Sequence, residues 1–255
     1  MSFGTAIRKL ARRTLPRFLL KPLAWAEQQL SATRFMVRRR GLTDYRVDFE
    51  QRSLRKAKAV ILWRDDWEQA TRATLDVLHQ LNLVHDGDTV IDYGCGIGRV
   101  TRALREQYDV RVIAVDRSAS MRDHARGYLP ADDLRSGVVT LLSDTELMGQ
   151  TELKGTAQCI LMIEVLQHIP EPILDQLLPD LVALLKPKGK LFVLGNNSLD
   201  VDRAGTSGSP IEPVLRRHVD IERRDRWTSG FVYARHSFVA GHRIPPGGIE
   251  PPFRP

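Results

Sequence analysis

The sequence predicts an α/β protein: a doubly wound, mostly parallel seven-stranded sheet with an antiparallel C-terminal hairpin and a basic helical N-terminal extension. Three observations predict it. Short apolar runs alternate with amphipathic helical runs between residues 89 and 194, and strands that alternate with helices run parallel and are covered on both faces. Two more β-like runs, residues 221–227 and 231–239, flank Ser229-Gly230 and suit a hairpin. Charge is segregated: residues 1–60 hold 15 Lys+Arg against 4 Asp+Glu, or +11, so within the total of +7 the other 195 residues sum to −4.

Residues 3–20 read as an amphipathic helix. Phe3, Ile7, Leu10, Ala11 and Phe18 share one face, Arg8, Lys9, Arg12, Arg13 and Arg17 cover the other, and Pro16 kinks or ends it. Arg38-Arg39-Arg40 forms a second basic cluster. A helix follows over residues 65–83, capped by Asp65 or Asp66, with Trp67, Ala70, Thr74, Leu78 and Leu81 at helical steps. His85-Asp86-Gly87-Asp88 reads as a turn. Then come a strand at 89–93, a helix at 99–108, a strand at 110–115, a helix at 118–128, a strand at 138–142 and a strongly apolar strand at 157–164. A helix over 172–185 sets Leu174, Leu177, Leu178, Leu181 and Leu185 on one face, with Pro179 as the place where it splits. A strand at 190–194 is followed by a polar loop at 195–210, a short helix at 211–219 and the hairpin. Residues 241–255 contain five prolines and three glycines and are not expected to pack. The resulting organisation is an extension at 1–60, a folded domain at 61–240 and a flexible tail at 241–255.

Composition narrows the class. Hydrophobic residues make up 42% and charged residues 27%, values of an ordinary globular chain. No run approaches the roughly 20 apolar residues needed to cross a bilayer, and Lys21 and Pro22 interrupt the most apolar N-terminal stretch, so a secretory signal is not expected. Cys95 and Cys159 fall at opposite ends of neighbouring strands, roughly 15–20 Å apart at about 3.3 Å per residue, too far for a disulfide. Reduced thiols and a cytoplasmic location are the expectation. No Cys/His spacing suggests a metal site.

The strongest chemical signal is Val90-Ile91-Asp92-Tyr93-Gly94-Cys95-Gly96-Ile97-Gly98. Glycines at alternate positions after an apolar strand let the chain turn sharply and let a ligand approach bare backbone. The helix that follows offers free N–H groups to an anion. Asp116 ends the next strand, and an acid there accepts hydrogen bonds from a ribose cis-diol. Arg99 stands where a dinucleotide fingerprint needs its third glycine, which argues against a nicotinamide-dependent oxidoreductase.

The pattern acid-x-G-x-G-x-G with Asp116 resembles motifs of the class I S-adenosylmethionine-dependent methyltransferases, whose domain is Rossmann-like. Ser143-Asp144-Thr145 resembles that family's third strand tip, Ile163-Glu164-Val165-Leu166-Gln167-His168-Ile169-Pro170 the segment after its fourth strand, and Leu185-Lys186-Pro187-Lys188-Gly189-Lys190-Leu191 the turn into its fifth. Ala157-Gln158 and Lys188 depart from the usual pattern. The resemblance implies S-adenosyl-L-methionine as cofactor. Asp92, Gly94, Gly96, Gly98 and the backbone of Ile163 would serve its methionine half, Asp116 its ribose diol, and Asp144, Thr145 and Arg117 its adenine.

Methyl transfer from a sulfonium asks the protein chiefly to hold the acceptor in line. A hydroxyl acceptor gains from a base, for which His168 and then Glu164 are the candidates at the C-terminal edge of the sheet. The expected acceptor is a small or lipid-like molecule. A non-catalytic relative acting as a scaffold is the alternative. The basic arm, residues 1–40, suits peripheral contact with an anionic membrane or packing on the body; an organelle-targeting role also fits its lack of acids before Glu27. Nucleic acid suits it less, because stacking aromatics are not interleaved with the charges.

Overall fold

The structure, a computed structural model, describes residues 67–195, 211–227 and 235–242. Helix α1 (Trp67–Gln80) leads into β1 (Thr89–Tyr93), α2 (Arg99–Gln107), β2 (Arg111–Val115), α3 (Ala119–Tyr128), a short α4 (Ala131–Ser136) and β3 (Val139–Leu142). The chain continues through α5 (Asp144–Gly149), β4 (Ala157–Ile163), α6 (Glu171–Leu184), β5 (Leu185–Gly195), α7 (Ile211–His218), β6 (Val219–Trp227) and β7 (Arg235–His242). The seven strands form one sheet in the order β3-β2-β1-β4-β5-β7-β6. Strands β1 to β5 are parallel, while β7 is antiparallel to both β5 and β6.

Alternation along the strands explains the layers. Val90, Val112, Cys159, Leu161, Phe192 and Val239 face one side and pack with residues of α1, α2 and α3. Ile91, Ile113, Ile160, Met162, Val193 and Phe238 face the other side, under the leucines of α6 and α7. Side chains two apart share a face of a strand, so near-continuous apolar strands are what a sheet covered twice requires. The chain runs outward through β2 and β3, then returns to place β4 beside β1. That reversal places the topological switch point between β1 and β4, at whose carboxyl ends ligands bind in open α/β sheets.

Several boundaries differ from the sequence reading. The first helix stops at Gln80: Asn82 turns left-handed (φ 53°), and the Leu83 N–H returns to the Leu78 carbonyl at 3.1 Å. Pro179 does not split α6, which stays continuous over buried Leu174, Leu178, Leu181 and Leu184. Leu185 belongs to β5. That strand is longer than expected because Leu185 pairs with Ala157 and Lys190 with Cys159, so the Lys186-Pro187-Lys188-Gly189 turn bulges out between two paired points. Gly189 is needed there, since a Cβ would lie 2.8 Å from the Ala157 carbonyl oxygen. Helices α4 and α5 occupy stretches to which the sequence assigns no element. Cys95 and Cys159 are both buried and free; Cys159 pairs with Val90, five residues before Cys95. Gly241 and His242, expected in the unpacked tail, instead belong to β7, where Gly241 is buried and pairs with Asp220. The predicted N-terminal helix, the basic clusters, the caps Asp65 and Asp66, the predicted loop from residue 196 onward, the Ser229-Gly230 turn and the tail from residue 243 lie outside the described residues.

Candidate functional site

The end of β1 is a bend made without side chains. Gly94, Gly96 and Gly98 all have positive φ (79°, 58° and 83°), which costs a glycine little and other residues about 1–2 kcal/mol. Space matters as much as torsion. A Cβ on Gly94 would sit 2.4 Å from Cγ2 of Val165, and one on Gly98 would sit 2.9 Å from the Leu129 side chain. The Gly94 and Cys95 N–H groups both donate to the Val115 carbonyl, at 2.7 and 2.9 Å, tying the bend to the end of β2. Gly98 precedes α2 and brings no capping side chain. The first amides of α2 therefore lack the side-chain acceptor that usually serves them.

Asp92 lies on the strand face that looks toward α2 and is 2% exposed. Its Oδ2 accepts a 2.6 Å hydrogen bond from Thr101 Oγ1. Burial raises its pKa, opposed by the Thr101 bond and the Arg99 charge. Asp92 is thus an internal strut under the bend, turned onto Thr101.

Asp116 points at the bend. Its Oδ2 accepts from the Gly96 N–H at 2.8 Å and its Oδ1 from the Ser118 N–H at 2.9 Å. A carboxylate has about four lone-pair positions, so each oxygen keeps one for a further donor. Burial pushes the carboxyl up to about 6, against the Ser118 and Gly96 amides and the Arg122 charge. Arg122 itself donates to the Asp116 and Arg117 carbonyls at 2.7 and 2.9 Å, folding the strand tip back.

The third acid is brought to the same rim. Ser143 caps α5 in a reciprocal box with Glu146, which leaves Asp144 free of capping duty. Its Oδ2 meets Arg117 Nε at 2.7 Å, and its Oδ1 accepts from the Thr145 N–H at 3.0 Å. Arg117 and Asp144 therefore sit together across the tips of β2 and β3. Thr145 is exposed on α5, and only its backbone is shown engaged with Asp144.

Ile163 ends β4, buried beside β5. Glu164 follows with φ 57°. Its Oε1 is ion-paired with Arg235 Nε, and its Oε2 accepts from Gln167 Nε2 at 2.7 Å. His168 closes the short helical turn Leu166–His168 and is partly buried, its N–H donating to the Val165 carbonyl at 2.9 Å.

Four participants were not singled out from sequence: Thr101, Arg122, Arg235 and Arg99 as a site cation. Arg99 is 7% exposed and donates to the neutral Thr71 Oγ1 at 2.7 Å. Burial lowers its pKa while Asp92 and Glu164 oppose the shift, so a guanidinium that stays charged lies near both acids. Its identity was visible three residues after Gly96; its burial was not. The Cys95 thiol is pushed well up by burial and is a space-filling residue of the bend.

Comparison with known proteins agrees with this geometry. Residues 66–242 match a family described as a methyltransferase domain. The chain is 34% identical over 132 residues to trans-aconitate 2-methyltransferase of Azoarcus sp. (strain BH72), covering 49% of this chain and 46% of that protein. It is 37% identical over 76 residues to N-demethylindolmycin N-methyltransferase of Streptomyces griseus, covering 30% and 32%. The matches span less than half the length of these relatives. A solved S-adenosylmethionine-dependent methyltransferase from Leishmania major shares the fold with a TM-score of 0.57 at 14% identity, over 83% of this chain and 82% of that one.

The bend makes a sharp demand on Gly94. Gly94→Ala combines a positive φ with a clash against Val165, and we expect it to destabilise the protein by about 2–4 kcal/mol. Urea unfolding measures this; a loss below about 0.5 kcal/mol would mean that the bend relaxes freely.

Proposed function

We propose, from the premise that this chain belongs to the class I S-adenosylmethionine-dependent methyltransferase family, that it transfers a methyl group from S-adenosylmethionine to a small-molecule acceptor. The observation that carries the reading is the Asp116 carboxylate, turned onto the Gly96 amide at 2.8 Å with lone pairs to spare. The residues present fit the cofactor. Three glycines at the bend leave backbone bare, Asp116 offers acceptors to a diol, and Arg99 with the uncapped start of α2 offers positive charge to an amino-acid carboxylate. When bound, S-adenosylmethionine supplies a methyl group already activated by its sulfonium.

The remaining work falls to the chain. The Asp116 side chain fixes the sugar end, the Arg117–Asp144 pair borders the adenine end, and the bend and Arg99 fix the methionine end. Holding both partners in line removes much of the entropic barrier. With Glu164 engaged by Arg235, His168 is the base we assign for an acceptor that must lose a proton. The curated relatives are named for small-molecule acceptors, trans-aconitate and N-demethylindolmycin, which supports the acceptor class without naming the acceptor of this chain.

The location we propose is cytoplasmic with peripheral membrane contact through residues 1–40. The support is the +11 charge of residues 1–60 and the apolar face of Phe3, Ile7, Leu10 and Phe18. Among the described residues no helix is long and apolar enough to cross a membrane.

Asp116 gives the cofactor site a pH dependence. Its folded pKa of about 6 lies above the ordinary carboxylate value, so ionisation is what folding and burial oppose, and the native group takes up its proton as pH falls through about 6. Diol hydroxyls need the ionised form. Affinity for S-adenosylhomocysteine, read by calorimetry, should be flat near neutral pH and weaken as pH drops below about 6. Asp116→Asn should lose about tenfold to a hundredfold in affinity, the worth of a charge-assisted hydrogen bond, and should lose the pH step as well. A step that survives in this variant belongs to another group.

For the base, His168→Ala should lower turnover about a hundredfold in a methyl-transfer screen, with S-adenosylhomocysteine affinity changed less than about threefold. Normal turnover removes His168 from the chemistry. For the arm, the full chain should sediment with phosphatidylserine vesicles, and changing Arg8, Lys9, Arg12, Arg13 and Arg17 to Gln should release it, at about 1 kcal/mol per charge. Equal sedimentation of both proteins would end the membrane proposal.

A further inference from the structure

One ion pair on the carboxyl-end rim of the sheet is not spent on the cofactor. Glu164 is the residue after β4 and has φ 57°. Asparagine tolerates this backbone region; glutamate gains nothing there and is strained. Three observed contacts hold it. Its N–H donates to the Leu194 carbonyl at 2.7 Å. Gln167 Nε2 donates to Oε2 at 2.7 Å, and Arg235 Nε is paired with Oε1. The next residue, Val165, fills the space that a Cβ on Gly94 would need, at 2.4 Å.

The pair spans the end of β5. Gly195 is the last residue of β5 and pairs with His236, so Arg235 lies just beyond it on β7, while Glu164 lies just beyond β4 on the other side. A Cβ on Gly195 would come within 3.0 Å of Gln167 Oε1 and 3.5 Å of Glu164 Cα. The pair is also partly dehydrated, with the Arg235 side chain 12% and the Glu164 side chain 29% exposed.

We propose that Arg235 is a positioning residue: its ion pair holds Glu164 in the left-handed conformation that presses Val165 against Gly94, so the last strand of the chain keeps the donor bend in shape. The proposal rests on reading that bend as the S-adenosylmethionine site. Coupling passes through three consecutive contacts, Arg235 to Glu164, Glu164 to Val165 through the backbone, and Val165 to Gly94.

The test uses the full chain, with S-adenosylhomocysteine calorimetry at neutral pH and amide hydrogen exchange at Gly94 and Cys95. Arg235→Gln should weaken S-adenosylhomocysteine binding about tenfold and speed exchange at those two amides. Arg235→Lys keeps a cation and should stay within about threefold of the wild type. Glu164→Gly accepts positive φ without a partner, so the double variant E164G/R235Q should bind more tightly than R235Q alone. Wild-type affinity and exchange in R235Q overturn the proposal, as does a double variant no tighter than R235Q. If the wild type itself fails to bind S-adenosylhomocysteine, the cofactor reading falls. Exchange at Gly94 and Cys95 then decides the clamp alone: faster exchange in R235Q supports it, and unchanged exchange overturns it.

Discussion

The hydrogen bond from the Gly96 amide to the Asp116 carboxylate is the constraint around which the rest of the site is arranged. It can exist only if the chain reverses at the tip of β1 without side chains and if β2 ends beside that reversal. The Val115 carbonyl meets the second need by accepting from both Gly94 and Cys95. The parallel pairing of β1 with β2 sets Tyr93 opposite Val115, so Asp116 emerges level with the bend. Remove the side-chain-free turn and the acid has nothing to face; shift the register by one residue and it points to the opposite side of the sheet.

Two acids at the ends of neighbouring strands, Asp92 buried and Asp116 half-buried, show how burial divides labour. Asp92 is sealed by Thr101 and by the helix above it, and burial alone explains its raised pKa. Asp116 is raised for the same reason, yet backbone amides from Ser118 and Gly96 and the Arg122 charge restrain the shift. The first braces the bend from beneath. The second keeps lone pairs for an incoming donor. Tyr93 is pushed up too, by burial and by the charges of Asp144 and Asp116, and stays a neutral core residue. A low-dielectric rim strengthens each of these interactions and penalises any left unpaired.

The two halves of the rim are built differently. On the β2–β3 side, Arg117 and Asp144 form an ion pair across two strand tips, with side chains 35% and 18% exposed. On the β4–β5–β7 side, a dehydrated ion pair and a strained residue lie over a glycine. Because β7 runs antiparallel to β5, its first residue arrives at the carboxyl end of the sheet, which no parallel strand's first residue does.

The sequence by itself determined the strand order along the chain and the five longer helices, the parallel core with its terminal hairpin, and the glycine bend with Asp116, because these are written in local periodicity and in residue types that few other conformations use. It also carried the family resemblance through short ordered motifs. Pro179 was misjudged because leucines beneath α6 outweigh one missing N–H. The burial of Arg99, the partner of Asp92, the ion pair of Arg117 with Asp144 and that of Glu164 with Arg235 were decided only by the tertiary structure. Each joins residues between 9 and 71 positions apart or depends on which helix covers which face, and a hydrogen bond or charge pair across that distance leaves no periodic trace in the chain.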